Sequence, residues 1–106
     1  MSFETSLFRA TLVTIGRVSK QPHTVTLRGV KYNGKIYFSR HRPDSDWFKN
    51  AITNTVVVIK YNNSSYSGIA KIVTDENLNQ KISQLKYPGE KKAEDKRVAI
   101  EITLRE

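Results

Sequence analysis

The dipeptide Asn33-Gly34 is the sequence feature that most constrains the fold, because it separates two runs of strand-forming residues. The runs are HTVTLRGVKY (23–32) and KIYFS (35–39). Asn-Gly readily adopts the left-handed backbone conformations that a two-residue hairpin turn requires. The two runs are therefore predicted to pair as antiparallel strands, and the rest of the chain is expected to build on that sheet.

Four further segments are predicted to be strands. They are LFRATLVTI (7–15), TVVVIKY (55–61), YSGIAKIVT (66–74) and RVAIEITL (97–104). The apolar, β-branched run at 55–61 is almost unbroken, which predicts a strand buried on both faces. The last segment alternates, with Val98, Ile100, Ile102 and Leu104 on one face.

Two helices are predicted between these strands. PDSDWFKNAITN (43–54) has Asp44 or Ser45 as its N-cap and places Phe48 and Ile52 on one face. DENLNQKISQLK (75–86) has Thr74 or Asp75 as its N-cap, carries Leu78, Ile82 and Leu85 on one stripe, and stops at Pro88-Gly89. The charged segment 87–96 is predicted to be a surface loop or a short helix. Six short strands with two helices predict one small, mainly antiparallel barrel over residues 1–106.

Charge is concentrated in one third of the chain. The formal net charge is +8, and residues 16–49 contain eight Lys and Arg residues against two Asp residues, which accounts for six of those charges. A cationic region of this kind favours a phosphate-bearing partner, either a nucleic acid or a phosphorylated small molecule. The absence of cysteine excludes disulfides and cysteine catalysis. With no signal peptide and no membrane-spanning stretch in this sequence, a cytoplasmic protein is expected.

The connection TIGRVSKQPHTV (14–25) is unusual for a link between two strands. It is longer and more cationic than a tight hairpin requires. Gly16 would let the chain turn, and Pro22 would start the next strand where its missing N–H does little harm. The basic and hydroxyl side chains between them are candidate ligands for a phosphate.

Residues suited to catalysis or metal binding are sparse. His23 and His41 have no partner at metal-ligand spacing, so no metal site is predicted. Asp44 and Asp46 are interpreted as helix caps rather than as an acid–base pair. The sequence contains neither a nucleophile elbow nor a phosphate-binding or dinucleotide glycine fingerprint. If the protein is an enzyme, its chemistry is expected to belong to a bound cofactor.

The order of these segments resembles the split β-barrel flavoproteins, from about residue 8 to the C-terminus. The resemblance rests on ATLVTIGRVSKQPHTVTLRGVKYNGKIYFS, DWFKNAITN, VVVIKY, YSGIAKIV, KYPG and RVAIEI. This group includes the pyridoxamine-phosphate-oxidase-like FMN proteins and the deazaflavin-dependent nitroreductases and quinone reductases. It implies a six-stranded antiparallel split barrel with two or three short helices, which dimerises and places its cofactor at the subunit interface.

The motifs of the chain match two branches of this group in part. The deazaflavin branch reads Gly-Arg-Lys-Ser-Gly-x-Pro-Arg-Thr after the first strand, and the matching residues here are Gly16, Arg17, Ser19, Pro22 and Thr24. Val18, Lys20 and His23 stand where Lys, Gly and Arg would be. The chain also keeps the Trp-aromatic-x-Asn helix of that branch, as Trp47, Phe48, Lys49 and Asn50. Pro22-His23 and Phe38-Ser39 are more typical of the FMN branch, so the choice between FMN and 8-hydroxy-5-deazaflavin stays open, with a slight preference for the latter.

The resemblance implies a set of cofactor-binding residues, each of which has a simpler structural interpretation. Arg17 and Lys20 would hold the cofactor phosphate, or they are solvated loop charges. Ser19 and Thr24 would donate to the phosphate or to the ring edge, and Arg28 would reach the phosphate from the barrel rim. The remaining members of the set are Pro22, His23, Ser39, Arg40, Trp47, Lys49 and Asn50. The simpler interpretations are hydrogen bonding at a strand start for His23, turn chemistry for Ser39 and Arg40, packing in the core or a dimer interface for Trp47, and solvent exposure for Lys49.

Three functions follow as hypotheses. The first is a homodimeric flavin- or deazaflavin-dependent oxidoreductase that transfers hydride to a small electron acceptor. The second is a basic nucleic-acid-binding barrel that stacks bases on exposed Tyr32, Tyr37 and Tyr61. The third is a family member that binds flavin without catalysing a reaction.

Overall fold

Six strands form a closed barrel in this computed structural model, which describes residues 7–40, 46–87, 89 and 98–105. The elements are β1 (Leu7–Ile15), β2 (Pro22–Tyr32), β3 (Lys35–Arg40), α1 (Asp46–Thr53), β4 (Val56–Tyr61), β5 (Ser64–Ile72), α2 (Glu76–Lys86) and β6 (Val98–Leu104). Around the barrel the strand order is β1-β2-β3-β6-β5-β4, and every neighbouring pair is antiparallel. The predicted six-stranded antiparallel barrel with two helices is confirmed.

The predicted Asn-Gly hairpin joins β2 to β3. Tyr32 pairs with Lys35 across the turn, and the turn residues have positive φ angles of 51° at Asn33 and 76° at Gly34. Both central residues therefore lie in the left-handed region that this type of two-residue turn requires. The chemistry of this dipeptide sets the register of the hairpin.

The main core fills the barrel. Phe8, Ala10 and Leu12 alternate along β1 and point inward, where they meet buried residues of the other strands. Helix α1 packs into the same core through Trp47, Phe48 and Ala51. Burial of each large apolar side chain of this kind stabilises the fold by roughly 1.5–3 kcal/mol. As a result α1 is held firmly against the barrel.

Helix α2 covers a second apolar cluster on the outer face of β2, β3 and β6. Ile82 is fully buried there, and Leu78 and Leu85 pack beside it, which confirms the predicted stripe. Asp75 is the N-cap, because its Oδ1 accepts hydrogen bonds from the backbone N–H groups of Asn77 and Leu78 at 2.9 and 3.3 Å. The helix ends at Lys86, two residues before Pro88.

Several details differ from the sequence expectation. Strand β4 is not buried on both faces, since Val57 and Ile59 point into the core while Val56 is 49% exposed. The helices pack mainly on other strands and leave the outer face of β4 uncovered by the residues described. Ile52 does not share the buried face of Phe48, because α1 buries Trp47 and Ala51 one turn apart and turns Ile52 outward. Strand β5 spans 64–72 rather than 66–74, since it continues directly from the Asn62-Asn63 turn.

Two expectations fall outside the described residues. They are the N-cap of α1 at Asp44 or Ser45 and the structure of segment 87–96 beyond Tyr87 and Gly89.

Candidate functional site

The cationic connection between β1 and β2 folds into a compact loop over residues 16–21. The Gly16 N–H donates to the Gln21 carbonyl at 2.8 Å, and the Lys20 N–H donates to the Gly16 carbonyl at 3.0 Å. Lys20 closes the loop in a left-handed conformation with φ of 61°, and its ammonium turns back to the Arg17 carbonyl at 3.2 Å. The prediction that this segment is not a tight hairpin is confirmed, and Pro22 starts β2 as expected.

Helix α1 holds this loop through one buried amide. The Oδ1 atom of Asn50 accepts hydrogen bonds from the Arg17 backbone N–H at 3.2 Å and from Arg17 Nη1 at 2.8 Å. Asn50 is 3% exposed, so its carbonyl oxygen depends on these donors. Arg17 Nη2 also lies 3.4 Å from the carboxylate of Asp46, whose side chain is 89% exposed. The position of the loop is thus set by the helix that packs into the core.

Ser19 and His23 form a hydrogen-bonded pair at the mouth of the loop. Ser19 Oγ lies 3.1 Å from His23 Nε2 and accepts a hydrogen bond from the Gln21 N–H at 3.2 Å. The pair lies directly over Gly16, where a Cβ atom would come within 2.7 Å of His23 Nε2. Only glycine fits at position 16 without displacing the pair. The interpretation of His23 as a hydrogen-bonded residue at the strand start is confirmed.

These residues surround a concave site of about 230 Å³. Its lining consists of Gly16, Arg17, Val18, Ser19, His23, Asp46 and Asn50. Pockets that enclose a whole small-molecule ligand generally measure about 300–1,000 Å³. The site therefore matches a small polar group, or one end of a larger ligand, better than a complete tricyclic cofactor.

A second group of predicted residues lies elsewhere, on the outer face of the barrel beneath the end of α2. The Lys86 ammonium donates to the Ser39 carbonyl at 3.0 Å and lies 3.5 Å from Ser39 Oγ. Arg28 Nη1 donates to the Lys86 carbonyl at 3.3 Å, and its guanidinium lies 5.3 Å from the centre of the Tyr87 ring. Neither Arg28 nor Ser39 lines the loop site.

Sequence reasoning missed Lys86 and Tyr87 in this second group. Lys86 is only 7% exposed. Its position four residues after Ile82, on the apolar stripe of α2, is the signal by which it could have been found.

The other predicted residues occupy varied positions. Thr24 is exposed on β2, Arg40 is the last residue of β3 and pairs with Val98, and Lys49 is exposed on α1. Trp47 is 8% exposed and packs edge-on against Phe48, with ring centres 5.6 Å apart, so it is a core residue. The structure brings together Arg17, Ser19, His23 and Asn50 from the predicted set.

The tyrosines expected to stack nucleic-acid bases are not exposed as predicted. Tyr37 is 3% exposed and donates to Glu101 Oε2 at 2.9 Å. Burial, together with this bond to a carboxylate, raises the pKa of Tyr37 to about 12. Tyr32 packs against Tyr37, and Tyr61 packs against Phe8. All three tyrosines pack in the two apolar clusters, so the prediction of an exposed base-stacking surface is wrong.

The described part of the chain has no cluster of metal ligands and no helix that could span a membrane. Within it, no group of three or more His, Asp or Glu side chains is arranged to hold a metal ion. Its helices are also too short and too polar to cross a membrane.

No protein-family model and no curated protein matches the chain. Solved structures do match. A conserved hypothetical protein of Mycobacterium tuberculosis is 21% identical, with a TM-score of 0.75 over 92% of this chain and 73% of that protein. An F420-H2 dependent reductase is 19% identical, with a TM-score of 0.72 over 90% of this chain and 93% of that one.

A third similar structure is a candidate pyridoxamine 5'-phosphate oxidase of Listeria innocua. It is 16% identical, with a TM-score of 0.70 over 97% of this chain and 86% of that one. Likeness at this level of identity establishes the fold. The chain has the split β-barrel fold of these proteins, as its resemblance to the pyridoxamine-phosphate-oxidase-like and deazaflavin-dependent groups implied.

Proposed function

We propose that the protein is a flavin- or deazaflavin-dependent oxidoreductase whose β1–β2 loop binds the phosphate end of the cofactor. The observation that carries this proposal is the loop site itself, where the Arg17 guanidinium, the Ser19 hydroxyl and the His23 ring line one small concavity. The similar folds of an F420-H2 dependent reductase and of a candidate pyridoxamine 5'-phosphate oxidase support it.

The donors of the loop suit an oxyanion. Arg17 keeps one strong bond to Asn50, while its second contact, to Asp46, is long and largely exposed to solvent. An exposed ion pair of this kind contributes only about 0–1 kcal/mol. A doubly charged phosphate would therefore compete effectively with Asp46 for Nη2, while the bond to Asn50 keeps the guanidinium in place.

The size of the loop site indicates how a larger cofactor would lie. With about 230 Å³ available, the site would enclose the phosphate end and leave the ring system on the barrel surface. A second subunit would then be needed to cover the ring. The outer face of the barrel supplies apolar surface for this contact, since Val56 on β4 is 49% exposed and half-buried Val58 pairs with half-buried Val13 of β1. We propose a homodimer with the cofactor at this interface.

The backbone of the loop favours the deazaflavin branch. Lys20 stands where the deazaflavin pattern has glycine, and its φ angle of 61° is the left-handed conformation that glycine adopts most easily. Lys20 thus has the backbone conformation that a glycine at this position would adopt easily, although the side chain differs. In the enzyme the cofactor would supply hydride for a small electron acceptor, while the loop residues of this chain would bind its phosphate and orient it.

Cofactor binding is tested with the purified protein, by its absorbance spectrum and by fluorescence titration with FMN and with the deazaflavin coenzyme. We expect one of them to bind, and Arg17→Gln to weaken that binding by about ten- to one-hundredfold, the loss of a charge-assisted bond. Lys71→Gln, an exposed lysine on β5, is the matched control. Absence of binding by both compounds would refute the proposal.

Turnover is tested separately, with the reduced cofactor and a quinone or nitroaromatic acceptor. Oxidation of the reduced cofactor by the acceptor, dependent on the protein, is the expected result. Tight binding without turnover would instead favour the hypothesis of a non-catalytic flavin-binding protein.

A further inference from the structure

The Ser19–His23 pair has a chemical property that arginine at position 23 would lack. Ser19 Oγ accepts from the Gln21 N–H at 3.2 Å and lies 3.1 Å from His23 Nε2. When His23 is neutral with its proton on Nδ1, the Ser19 hydroxyl donates its hydrogen to Nε2. In that state the hydroxyl hydrogen is directed at the ring and is not available to a ligand.

Adding a proton at Nε2 reverses this bond. The new N–H donates to Ser19 Oγ, which already accepts from Gln21, so both lone pairs of the hydroxyl oxygen are used. The hydroxyl hydrogen is then no longer directed at the ring, and a ligand in the concave site that Ser19 and His23 line can accept it. Starting from the tautomer with its proton on Nδ1, one added proton thus brings a positive charge to the edge of the site and frees a hydrogen-bond donor for a ligand there.

We propose that the loop site binds a polyatomic oxyanion together with one proton, with His23 as the group that takes up the proton and Ser19 as the donor it releases. This inference rests on the proposed function, because it concerns the same phosphate-binding loop. The histidine side chain changes charge between about pH 5 and pH 8, so anion affinity would rise as the pH falls through this range.

The charged groups around the pair are consistent with this assignment. On the loop they are Arg17, which is bonded to Asn50, and Lys20, whose ammonium turns to the Arg17 carbonyl. On α1 the facing group is Asp46, which lies 3.4 Å from Arg17. On β1 the cross-strand partner of His23 is Thr14, which carries no charge. Among the residues that line the site, His23 is the one histidine.

Sulfate is the appropriate probe, because it stays a dianion throughout this range whereas phosphate monoesters titrate near pH 6. Its affinity is measured by isothermal titration calorimetry from about pH 5 to about pH 8, and proton uptake by repeating the titration in buffers of different ionisation enthalpy. We expect affinity to fall by up to about tenfold per pH unit and up to one proton to be taken up per sulfate.

Three variants separate the roles of the residues. His23→Gln retains a polar side chain near Ser19 and is expected to abolish both the pH dependence and the proton uptake. Ser19→Ala is expected to weaken sulfate binding and to keep the pH dependence, because the charge on His23 remains. His41→Gln, which removes the other histidine of the chain, is the control and should behave like the parent protein.

The outcomes distinguish this inference from the proposed function. If sulfate binds with an affinity that does not depend on pH and without proton uptake, the inference is overturned. The proposal that the loop binds a phosphate group would not be affected. The same holds if His23→Gln keeps the full pH dependence. Failure of sulfate to bind at any pH would also overturn the inference, whereas the proposed function fails only if neither FMN nor the deazaflavin coenzyme binds.

Discussion

Arg17 and Asn50, 33 residues apart in sequence, are joined by two hydrogen bonds to one buried oxygen. The side-chain carbonyl oxygen of Asn50 accepts hydrogen bonds from both the backbone N–H and the guanidinium of Arg17. The helix that packs into the barrel therefore also sets the geometry of the β1–β2 loop. This contact joins the Trp-x-x-Asn helix to the Gly-Arg-x-Ser loop.

Replacing Asn50 with alanine should release the loop. The arginine loses a charge-assisted acceptor and a buried cavity forms beside α1, so the free energy of unfolding should fall by about 1.5–3 kcal/mol. Urea denaturation measures this loss, and hydrogen exchange at the Arg17 amide reports the loosening directly. Lys49→Ala on the exposed side of α1 should stay within about 0.5 kcal/mol of the parent. Equal effects of the two substitutions would show that the Asn50 contact does not stabilise the loop.

Lys20→Gly should stabilise the protein although it removes a side chain. A non-glycine residue in the left-handed conformation costs about 1–2 kcal/mol, whereas the exposed bond from Nζ to the Arg17 carbonyl contributes less. We expect a rise of about 0.5–1 kcal/mol in the free energy of unfolding, measured by urea denaturation. Lys60→Gly, in the exposed part of β4, should instead lower it by about 0.5–1 kcal/mol. A loss of stability in Lys20→Gly would contradict the positive φ angle.

Alkaline pH should weaken the fold through Tyr37. Its pKa is raised from 10.0 to about 12 in the folded protein, so its neutral form is favoured by folding. The corresponding stabilisation is complete below about pH 10 and is lost as the pH rises toward 12. The free energy of unfolding should therefore decline less steeply over this interval in Tyr37→Phe than in the parent. Parallel curves for the two proteins, measured by urea denaturation at each pH, would contradict the assignment.

Lys86→Met should destabilise the protein, although methionine retains most of the apolar stem. The substitution removes the donor to the Ser39 carbonyl in a site where the side chain is 7% exposed, at a cost of about 1–3 kcal/mol. Lys81→Met, on the exposed side of the same helix, should change stability by no more than about 0.5 kcal/mol. Thermal unfolding followed by circular dichroism compares the two. A Lys86→Met protein as stable as the control would mean that the buried ammonium contributes no net stability.

Local chemistry was enough to predict much of the fold. Asn33-Gly34 specifies its own turn because few other dipeptides tolerate two left-handed residues, and Asp75 caps α2 because its carboxylate reaches the N–H groups that follow it. The buried face of α2 is likewise predicted by the stripe of Leu78, Ile82 and Leu85, and the buried face of β6 by its alternation of apolar residues. Each of these signals involves residues within a few positions of one another.

Only the tertiary structure determines which residues far apart in the sequence meet and which side chains are buried. Arg28 and Ser39 were predicted to bind the cofactor together with Arg17. In the structure they instead make hydrogen bonds with Lys86 at the end of α2, and neither lines the loop site. Tyr37 is buried against Glu101, and Val56 is exposed because neither helix covers that part of the barrel. Composition and spacing alone predict which side chains can bind a phosphate. Which of them meet depends on how the closed barrel and its two helices pack, since burial and long-range hydrogen bonds form between residues far apart in the sequence.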